Sequence, residues 1–422
     1  MRIKNMRMYY CFIVVFFFFF LAGSYKVSGQ ASELELDRKV DRIHKKILTV
    51  DSHTDAPLNL MEKGFDISKD HRSSGDNSKY DFPRMKSGSL DAAFFAVFLS
   101  QGPRTPAGNA LAKARADRLF DTIYAVVDRN RDVAGLAFSP EDAYRLKRKG
   151  KRAIFIGMEN GYPIGNDISL IQSYFSKGAR YITLCHTKNN DICDSSTDTT
   201  EFTGLSEFGK NVVQYMNKIG MMVDVSHISD KAFYDVLTIS KAPVIASHSC
   251  ARAICNNKRN MDDKMLVALA KNGGVIQMCI LSDYVKTPDP NPARDSARAE
   301  FRKRYQSYEN LSEAEQQKMH LEWNEMDRKF PQKLATVVDV VNHIDHMVKV
   351  AGINHVGIGT DFDGGGAVNG CFDVSEMKNI TKELVRRGYS TRDIKKIWGG
   401  NLMRVMRKVK KISTKLNPPC NC

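Results

Sequence analysis

Short apolar segments rich in β-branched residues recur along the chain and alternate with segments of helical periodicity. Eight of them have the length of a strand, and their near-continuous apolarity indicates strands buried on both faces. They are Lys46–Val50, Ala92–Leu99, Ala153–Met158, Tyr181–Cys185, Met221–Val225, Val244–Ala246, Val275–Ile280 and Val356–Ile358.

The segments between these strands carry helix signals. Residues 204–220 repeat apolar side chains at helical spacing and end in Gly220, a typical helix stop. Ser229 and Asp262 can cap the starts of two more helices, and Ile168 to Phe175 marks another. Strands and helices that alternate eight times predict an α/β fold, specifically a (β/α)8 TIM barrel.

One stretch, from about residue 283 to 332, breaks this alternation. It is highly charged and has poor apolar periodicity. We expect a charged helical insertion after strand 7, within a single domain that spans residues 30–422. On a barrel this position lies at the catalytic rim, so a lid and a simple surface elaboration are both open.

The N-terminus has the order of a secretory signal peptide. Three basic residues precede an apolar run from Tyr9 to Gly23, and small residues follow it. The run is shorter than the roughly 20 residues of a spanning helix. We predict a signal peptide over residues 1–29 and an exported, periplasmic or secreted protein with no stable membrane anchor after cleavage. An uncleaved N-terminal segment that tethers the protein to the membrane is the alternative.

Composition narrows the class of protein. The chain has 422 residues, of which 42% are hydrophobic and 26% charged, as in ordinary globular proteins. The formal net charge is +15, but the basic residues are scattered, so we predict no nucleic-acid partner. Of the nine cysteines, Cys185 and Cys279 lie in apolar runs and are expected to be buried thiols. The candidates for disulfides are Cys193, Cys250, Cys255, Cys371, Cys420 and Cys422.

Histidine and carboxylate side chains cluster at the predicted carboxyl ends of the strands, where barrel active sites are built. His53 and Asp55 share one face of an extended segment, so both can reach one metal ion. His227 and His248 follow adjacent strands and can share a second ion, with Glu159 as a bridge. This ligand set suits Zn²⁺, with Mn²⁺, Co²⁺ and Fe²⁺ as alternatives. Two close cations would activate a bridging water at neutral pH.

The motifs at these strand ends resemble those of the membrane dipeptidase (renal dipeptidase) family of zinc peptidases, as a bacterial-type exported member. Their order and spacing together are highly specific, and they span residues 51 to about 405. They are Asp51-Ser52-His53-Thr54-Asp55, Gly157-Met158-Glu159-Asn160, Leu184-Cys185-His186, Asp224-Val225-Ser226-His227, Ser247-His248-Ser249-Cys250-Ala251-Arg252-Ala253, Arg259-Asn260, Gly359-Thr360-Asp361-Phe362-Asp363-Gly364 and Ile397-Trp398-Gly399-Gly400-Asn401-Leu402.

The resemblance implies a barrel of the metal-dependent hydrolase type with two Zn²⁺ ions. His53 and Asp55 would bind one ion and His227 and His248 the other, with Glu159 as the bridge.

The resemblance also implies roles around the metals. His186 would lie near the scissile carbonyl, Arg259 would bind the substrate carboxylate, and Asp361 would handle protons. Asp363 is a weaker candidate, and Asn401 would brace the barrel. The implied substrates are dipeptides, including those with a C-terminal D-residue, and related small amides. A homodimer is a further implication.

Two other functions stay open at this point. Another binuclear-metal amidohydrolase, acting on N-acyl-D-amino acids or lactones, would use the same barrel and ligands. A non-catalytic barrel protein would be expected to have lost a ligand or Asp361, and none is lost here. Fold alone does not distinguish these functions.

Overall fold

Eight parallel strands form a barrel surrounded by helices in a computed structural model that describes residues 33–305, 311 and 313–418. The strand order is β1-β2-β4-β5-β6-β7-β8-β9, with the short β3 added outside β4. The strands are β1 (Val50–Thr54), β2 (Ala92–Phe98), β3 (Ala134–Leu136), β4 (Arg152–Glu159), β5 (Ala179–Thr183), β6 (Met222–Asp224), β7 (Ile245–Ser249), β8 (Val275–Met278) and β9 (Val356–Ile358). The predicted (β/α)8 barrel is confirmed.

The last strand meets the first to close the barrel. A parallel bridge joins Thr54 to Phe362, just beyond β9. The amide of Asp361 donates to the His53 carbonyl at 3.0 Å, and the amide of Asp55 donates to the Phe362 carbonyl at 2.8 Å. Closure therefore brings Asp361 beside His53 and Asp55.

One strand was predicted at the wrong residues, and another was not predicted. The predicted first strand, Lys46–Val50, overlaps β1 only at Val50, because a helix continues to residue 46. The apolar side chains at 47 and 48 are buried in the core, but neither residue belongs to a strand. The three-residue strand β3 was missed because it is too short to show a period.

Helices fill the connections as predicted. Ser206, Ser229 and Asp262 each accept a hydrogen bond from the first turn of a helix, and Gly220 and Gly273 end two of them in left-handed conformations. The helices are α1 (33–46), α2 (Ala56–Leu60), α3 (Phe82–Ser87), α4 (Pro106–Arg129), α5 (Pro140–Arg148), α6 (Ser169–Ser176), α7 (Glu207–Ile219), α8 (Asp230–Ile239), α9 (Asp263–Asn272), α10 (Ser282–Val285), α11 (Pro292–Arg304), α12 (Glu313–Lys329), α13 (Val337–Ala351), α14 (Lys378–Arg386), α15 (Thr391–Lys395) and α16 (Asn401–Leu416).

The insertion after the seventh barrel strand is helical. It contains α10, α11 and α12. Arg294 ties α11 to α12 through Asp327 at 2.7 Å, and Phe301 packs edge-on against Trp323. Gln332 and Arg298 both contact Asp283, which fastens the insertion to its own start.

The first helix is held to α14 by three ion pairs in successive turns. Glu33, Asp37 and Asp41 of α1 face Arg386, Lys382 and Lys378 of α14. His44 continues this contact into the core, where its Nε2 lies 2.7 Å from the Thr381 hydroxyl. The predicted signal peptide, residues 1–29, lies outside the described residues. Within the described part of the chain, no helix is long and apolar enough to cross a membrane.

The six cysteines of the described residues are all buried and free, as Cys185 and Cys279 were expected to be. The disulfide prediction is therefore wrong for Cys193, Cys250, Cys255 and Cys371. These thiols lie in the interior, where free cysteine behaves as a small apolar side chain. Cys420 and Cys422 lie outside the described residues.

Candidate metal centre

All the histidine and carboxylate residues predicted for the site lie at the carboxyl end of the barrel. His53 and Glu159 belong to β1 and β4, and His248 belongs to β7. The pairing register shifts near His53, between Asp51 and Thr54 of β1, and near His248, between Ala246 and Ser249 of β7. Such irregularities re-aim side chains next to active sites.

Glu159 lies between two groups of ligand-type atoms. Its Oε2 is 3.3 Å from His53 Nε2, which is in turn 3.7 Å from Asp55 Oδ2. Its Oε1 is 2.9 Å from His227 Nε2 and 3.4 Å from His248 Nε2. The carboxylate thus has one oxygen facing each group.

The donor set fits divalent cations. His227 Nε2 and His248 Nε2 face each other at 2.8 Å, although two unprotonated nitrogens repel unless a proton or a cation lies between them. Among the described residues, His53 Nε2 and Asp55 Oδ1 are buried without a hydrogen-bond partner. Burial lowers the pKa of His227 and His248 well below the ordinary value, which favours the neutral form of the ring that binds metal. Among the described residues, three groups have ligand atoms that all lie within 4.8 Å of one another: His53–Glu159–His248, Glu159–His186–His227 and His53–Asp55–Asp361.

His186 lies at the edge of this cluster. Its Nε2 is 3.9 Å from Glu159 Oε1, and its ring packs against His227 and edge-on against Phe98. Burial first, and then the Arg259 guanidinium, lower the pKa of His186 to about 3. The ring is therefore a neutral hydrogen-bond donor or acceptor.

Arg259 supplies a buried positive charge beside the cluster. Its guanidinium donates to the His248 carbonyl at 3.0 Å and lies 5.4 Å from the centre of the Tyr284 ring. Its Nε is buried and has no partner among the described residues. A guanidinium with an unused donor in a polar site matches a carboxylate ligand.

Asp361 approaches the cluster from beyond β9. Its Oδ1 is 3.9 Å from His53 Nε2, and the Cys279 thiol is 3.8 Å from its Oδ2. Burial first, and then Cys279, raise the pKa of Asp361 well above the ordinary value, and bound cations would oppose that shift. Asp363 points away and accepts from the Lys79 amide at 2.7 Å.

The sequence assigned no role to several polar residues of the site. Tyr181, Ser247 and Asp224 are fully buried polar side chains behind the histidines. The sequence signal that could have identified them is a polar residue within or at the end of an otherwise apolar strand. Asn401, expected to brace the barrel, donates to the carbonyls of Ile353 and Val356 at 2.8 Å each.

The backbone at the site is unusual as well. Asn160, His227, Asp361 and Asp363 have φ values of 76°, 71°, 62° and 65°. Residues other than glycine seldom adopt this left-handed region.

Known proteins resemble this chain over most of its length. The family model for membrane dipeptidases, peptidase family M19, matches residues 37–419. Dipeptidase tcpJ of Claviceps purpurea is 32% identical over 339 residues, which cover 79% of this chain and 70% of the relative. Dipeptidase 3 of Macaca fascicularis is 28% identical and covers 91% of this chain and 70% of the relative.

Solved structures show the same architecture. The probable dipeptidase PvdM from Pseudomonas aeruginosa is 32% identical, with a TM-score of 0.78 over 90% of this chain and 99% of its own. A metallopeptidase from Rhodobacter sphaeroides, solved with a phosphinate mimic of the dipeptide L-Ala-D-Ala, has 21% identity and a TM-score of 0.65 over 86% of this chain and 99% of its own. The family match and these likenesses agree with the geometry of the strand ends. The chain belongs to the membrane dipeptidase family, peptidase family M19, and is a metal-dependent hydrolase of peptide bonds in dipeptides.

Proposed function

We propose that this metallo-dipeptidase uses two zinc ions held on the two sides of Glu159. His53 and Asp55 would bind one ion, and His227 and His248 the other. The observation that carries this proposal is the placement of Glu159, whose two carboxylate oxygens each face a separate pair of ligand atoms. When bound, the ions would supply an activated water and a Lewis acid for the carbonyl.

The residues around the cluster would orient the substrate and move protons. Asp361, whose Oδ1 faces the His53 side of the cluster, would accept a proton from the attacking water and pass it to the leaving amine. The neutral ring of His186 would donate to the oxygen that gains charge. Arg259 would hold the free carboxylate of the dipeptide, which limits the substrates to short peptides.

We propose that the substrates include dipeptides with a D-residue at the C-terminal position. The support is the Rhodobacter sphaeroides structure, which shares this fold and holds a phosphinate mimic of L-Ala-D-Ala. Export and a homodimer are also part of the proposal. Intact-mass analysis of the protein from the cell envelope would test cleavage near residue 29, and light scattering would test the dimer.

The central test is hydrolysis of L-Ala-D-Ala and L-Ala-L-Ala by the mature protein, with zinc and after chelation. Asp361→Asn and Glu159→Gln are the loss-of-function variants. We expect zinc-dependent cleavage that both substitutions reduce by at least about 10²-fold. The wild type should cleave dipeptides with an amidated C-terminal carboxylate more slowly than those with a free carboxylate. In Arg259→Lys the ratio between these two rates should be smaller.

A folded, zinc-loaded protein that cleaves neither dipeptide would contradict this proposal. N-acyl-D-amino acids and lactones would then be assayed, because the same cluster serves other amidohydrolases.

A further inference from the structure

Two hydroxyl groups lie behind two of the histidines, on the side away from the cluster. The Tyr181 hydroxyl is 2.8 Å from His53 Nδ1, and the Ser247 hydroxyl is 2.9 Å from His248 Nδ1. All four side chains are fully buried or nearly so. Water therefore does not compete for these contacts.

Each hydroxyl has one proton, and a second acceptor takes it. Tyr181 donates to the Ser52 carbonyl at 3.2 Å. Ser247 donates to Asp224 Oδ2 at 2.5 Å. A hydroxyl that has donated its proton offers only lone pairs. When the hydroxyls donate to these acceptors, the Nδ1 atom of each histidine is the donor, and Nε2 of the neutral ring keeps a lone pair on the side of Glu159.

Asp224 is fixed in its accepting role. It receives the Thr183 hydroxyl at 2.5 Å and the Ser247 hydroxyl at the same oxygen. Its other oxygen receives the amides of Ser226 and Ser247 at 3.1 and 2.8 Å. Four donors converge on one buried carboxylate, so the Ser247 proton has a defined direction.

The Tyr181 ring reaches His53 because Gly157 of the neighbouring strand has no side chain. A Cβ at Gly157 would lie 2.1 Å from Tyr181 Cζ. The same strand ends in Glu159, so one short segment both admits the tyrosine and presents the central carboxylate. His227 differs, because its Nδ1 is buried without a partner among the described residues.

We propose that Tyr181 and Ser247 are positioning residues that fix His53 and His248 as Nδ1–H tautomers, with Asp224 orienting Ser247. This inference rests on the metal-ligand roles proposed above. Partners of this kind hold the ring in the ligating orientation and raise its affinity for metal. Both hydroxyls are buried and lie on the side of the rings away from the cluster, so both act through the histidines.

The test is zinc binding by Tyr181→Phe and Ser247→Ala, measured by chelator competition on the apoprotein. The matched controls are Tyr174→Phe and Ser196→Ala, whose hydroxyls are buried and have no hydrogen-bond partner among the described residues. We expect each test variant to bind one of its two zinc equivalents 10- to 100-fold more weakly. The controls should bind as the wild type does.

A cobalt-substituted sample gives a second readout. The visible spectrum of Co²⁺ should change in the test variants and not in the controls, because ring orientation alters the ligand field. At zinc concentrations that fill both sites, kcat should fall while KM changes little. Thermal unfolding of each apoprotein shows whether the variant is folded.

The outcomes separate the two proposals. If Tyr181→Phe and Ser247→Ala bind two zinc ions with wild-type affinity and spectrum, the positioning role is wrong and the dipeptidase assignment is unaffected. If the wild type binds no zinc, the metal-ligand assignment itself fails.

Discussion

Gly364 occupies a position where any side chain would enter the site. A Cβ at Gly364 would lie 2.1 Å from Asp55 Oδ2 and 2.4 Å from Asp361 Oδ1, although real Cβ contacts essentially never fall below 3.0 Å. In Gly364→Ala the Asp55 carboxylate must therefore retreat by about 1 Å, a misplacement that can cost about 10²-fold in rate. We expect kcat/KM to fall by about that factor and zinc to bind more weakly on the His53 side.

Stability should respond differently. Gly364 does not have a left-handed φ, so alanine fits its backbone. Gly→Ala at a compatible position stabilises by about 0.4–1 kcal/mol through the unfolded state, which offsets part of the crowding. Overpacking costs about 1–3 kcal/mol, so the free energy of urea unfolding should fall by at most about 2.5 kcal/mol.

The assay pairs dipeptide hydrolysis with zinc competition. Gly102→Ala is the control, because its Cβ would contact the Tyr162 side chain, 3.0 Å from the hydroxyl and 3.5 Å from the ring, and no residue of the metal centre is among its nearest neighbours. Wild-type kcat/KM and zinc affinity in Gly364→Ala would refute the reasoning, and so would an equal loss in the control.

Three further predictions concern the rest of the barrel. Burial lowers the pKa of His44 from 6.5 to about 4, so the native state resists a proton that the unfolded chain binds, and stability should fall as the pH drops from 6.5 to 4, by roughly 3 kcal/mol. His44→Gln should flatten that part of the pH–stability curve in urea titrations, and parallel curves would contradict the idea. The Cys255 thiol lies 3.8 Å from the Thr287 hydroxyl, so Thr287→Cys should form a disulfide that stabilises the protein by about 3–4 kcal/mol. The Tm of this variant should then fall when a reductant is added. An unchanged number of free thiols after oxidation would rule out the disulfide. Buried Arg84 binds Asp81 and Asp373, so Arg84→Met should lower the free energy of urea unfolding by about 3–5 kcal/mol. Arg72→Met, which breaks an exposed pair with Asp70, should change that free energy little. Equal losses in the two variants would show that burial is not the cause.

The barrel was predictable because buried parallel strands are read from apolar runs alone. Where the prediction failed, contacts with distant parts of the chain determine the local structure. The side chains at 47 and 48 are apolar and β-branched or bulky, yet they follow a helix that the ion pairs with α14 hold in place. The sequence could not show that Cys193 and Cys371 are free thiols, because a disulfide depends on which cysteines the fold brings together.

The candidate site could be predicted as a set of residues but not as an arrangement. Spacing placed His53 and Asp55 on one face, and strand order placed His227 near His248. Glu159 was expected to bridge the two pairs, but the distances from its two oxygens to each pair depend on the register of neighbouring strands, which no sequence pattern shows. Tyr181 was counted only as an apolar strand residue, because its hydroxyl contact with β1 joins residues 128 positions apart.

The left-handed backbone at His227, Asp361 and Asp363 bears on how this protein could be altered in the laboratory. Such conformations cost on the order of 1 kcal/mol each for residues other than glycine. A library screened only for heat resistance should therefore enrich glycine or asparagine at these three positions and discard the catalytic apparatus while improving the scaffold. Directed evolution of this barrel needs a turnover screen at every round, because its most heat-resistant descendants should include inactive ones.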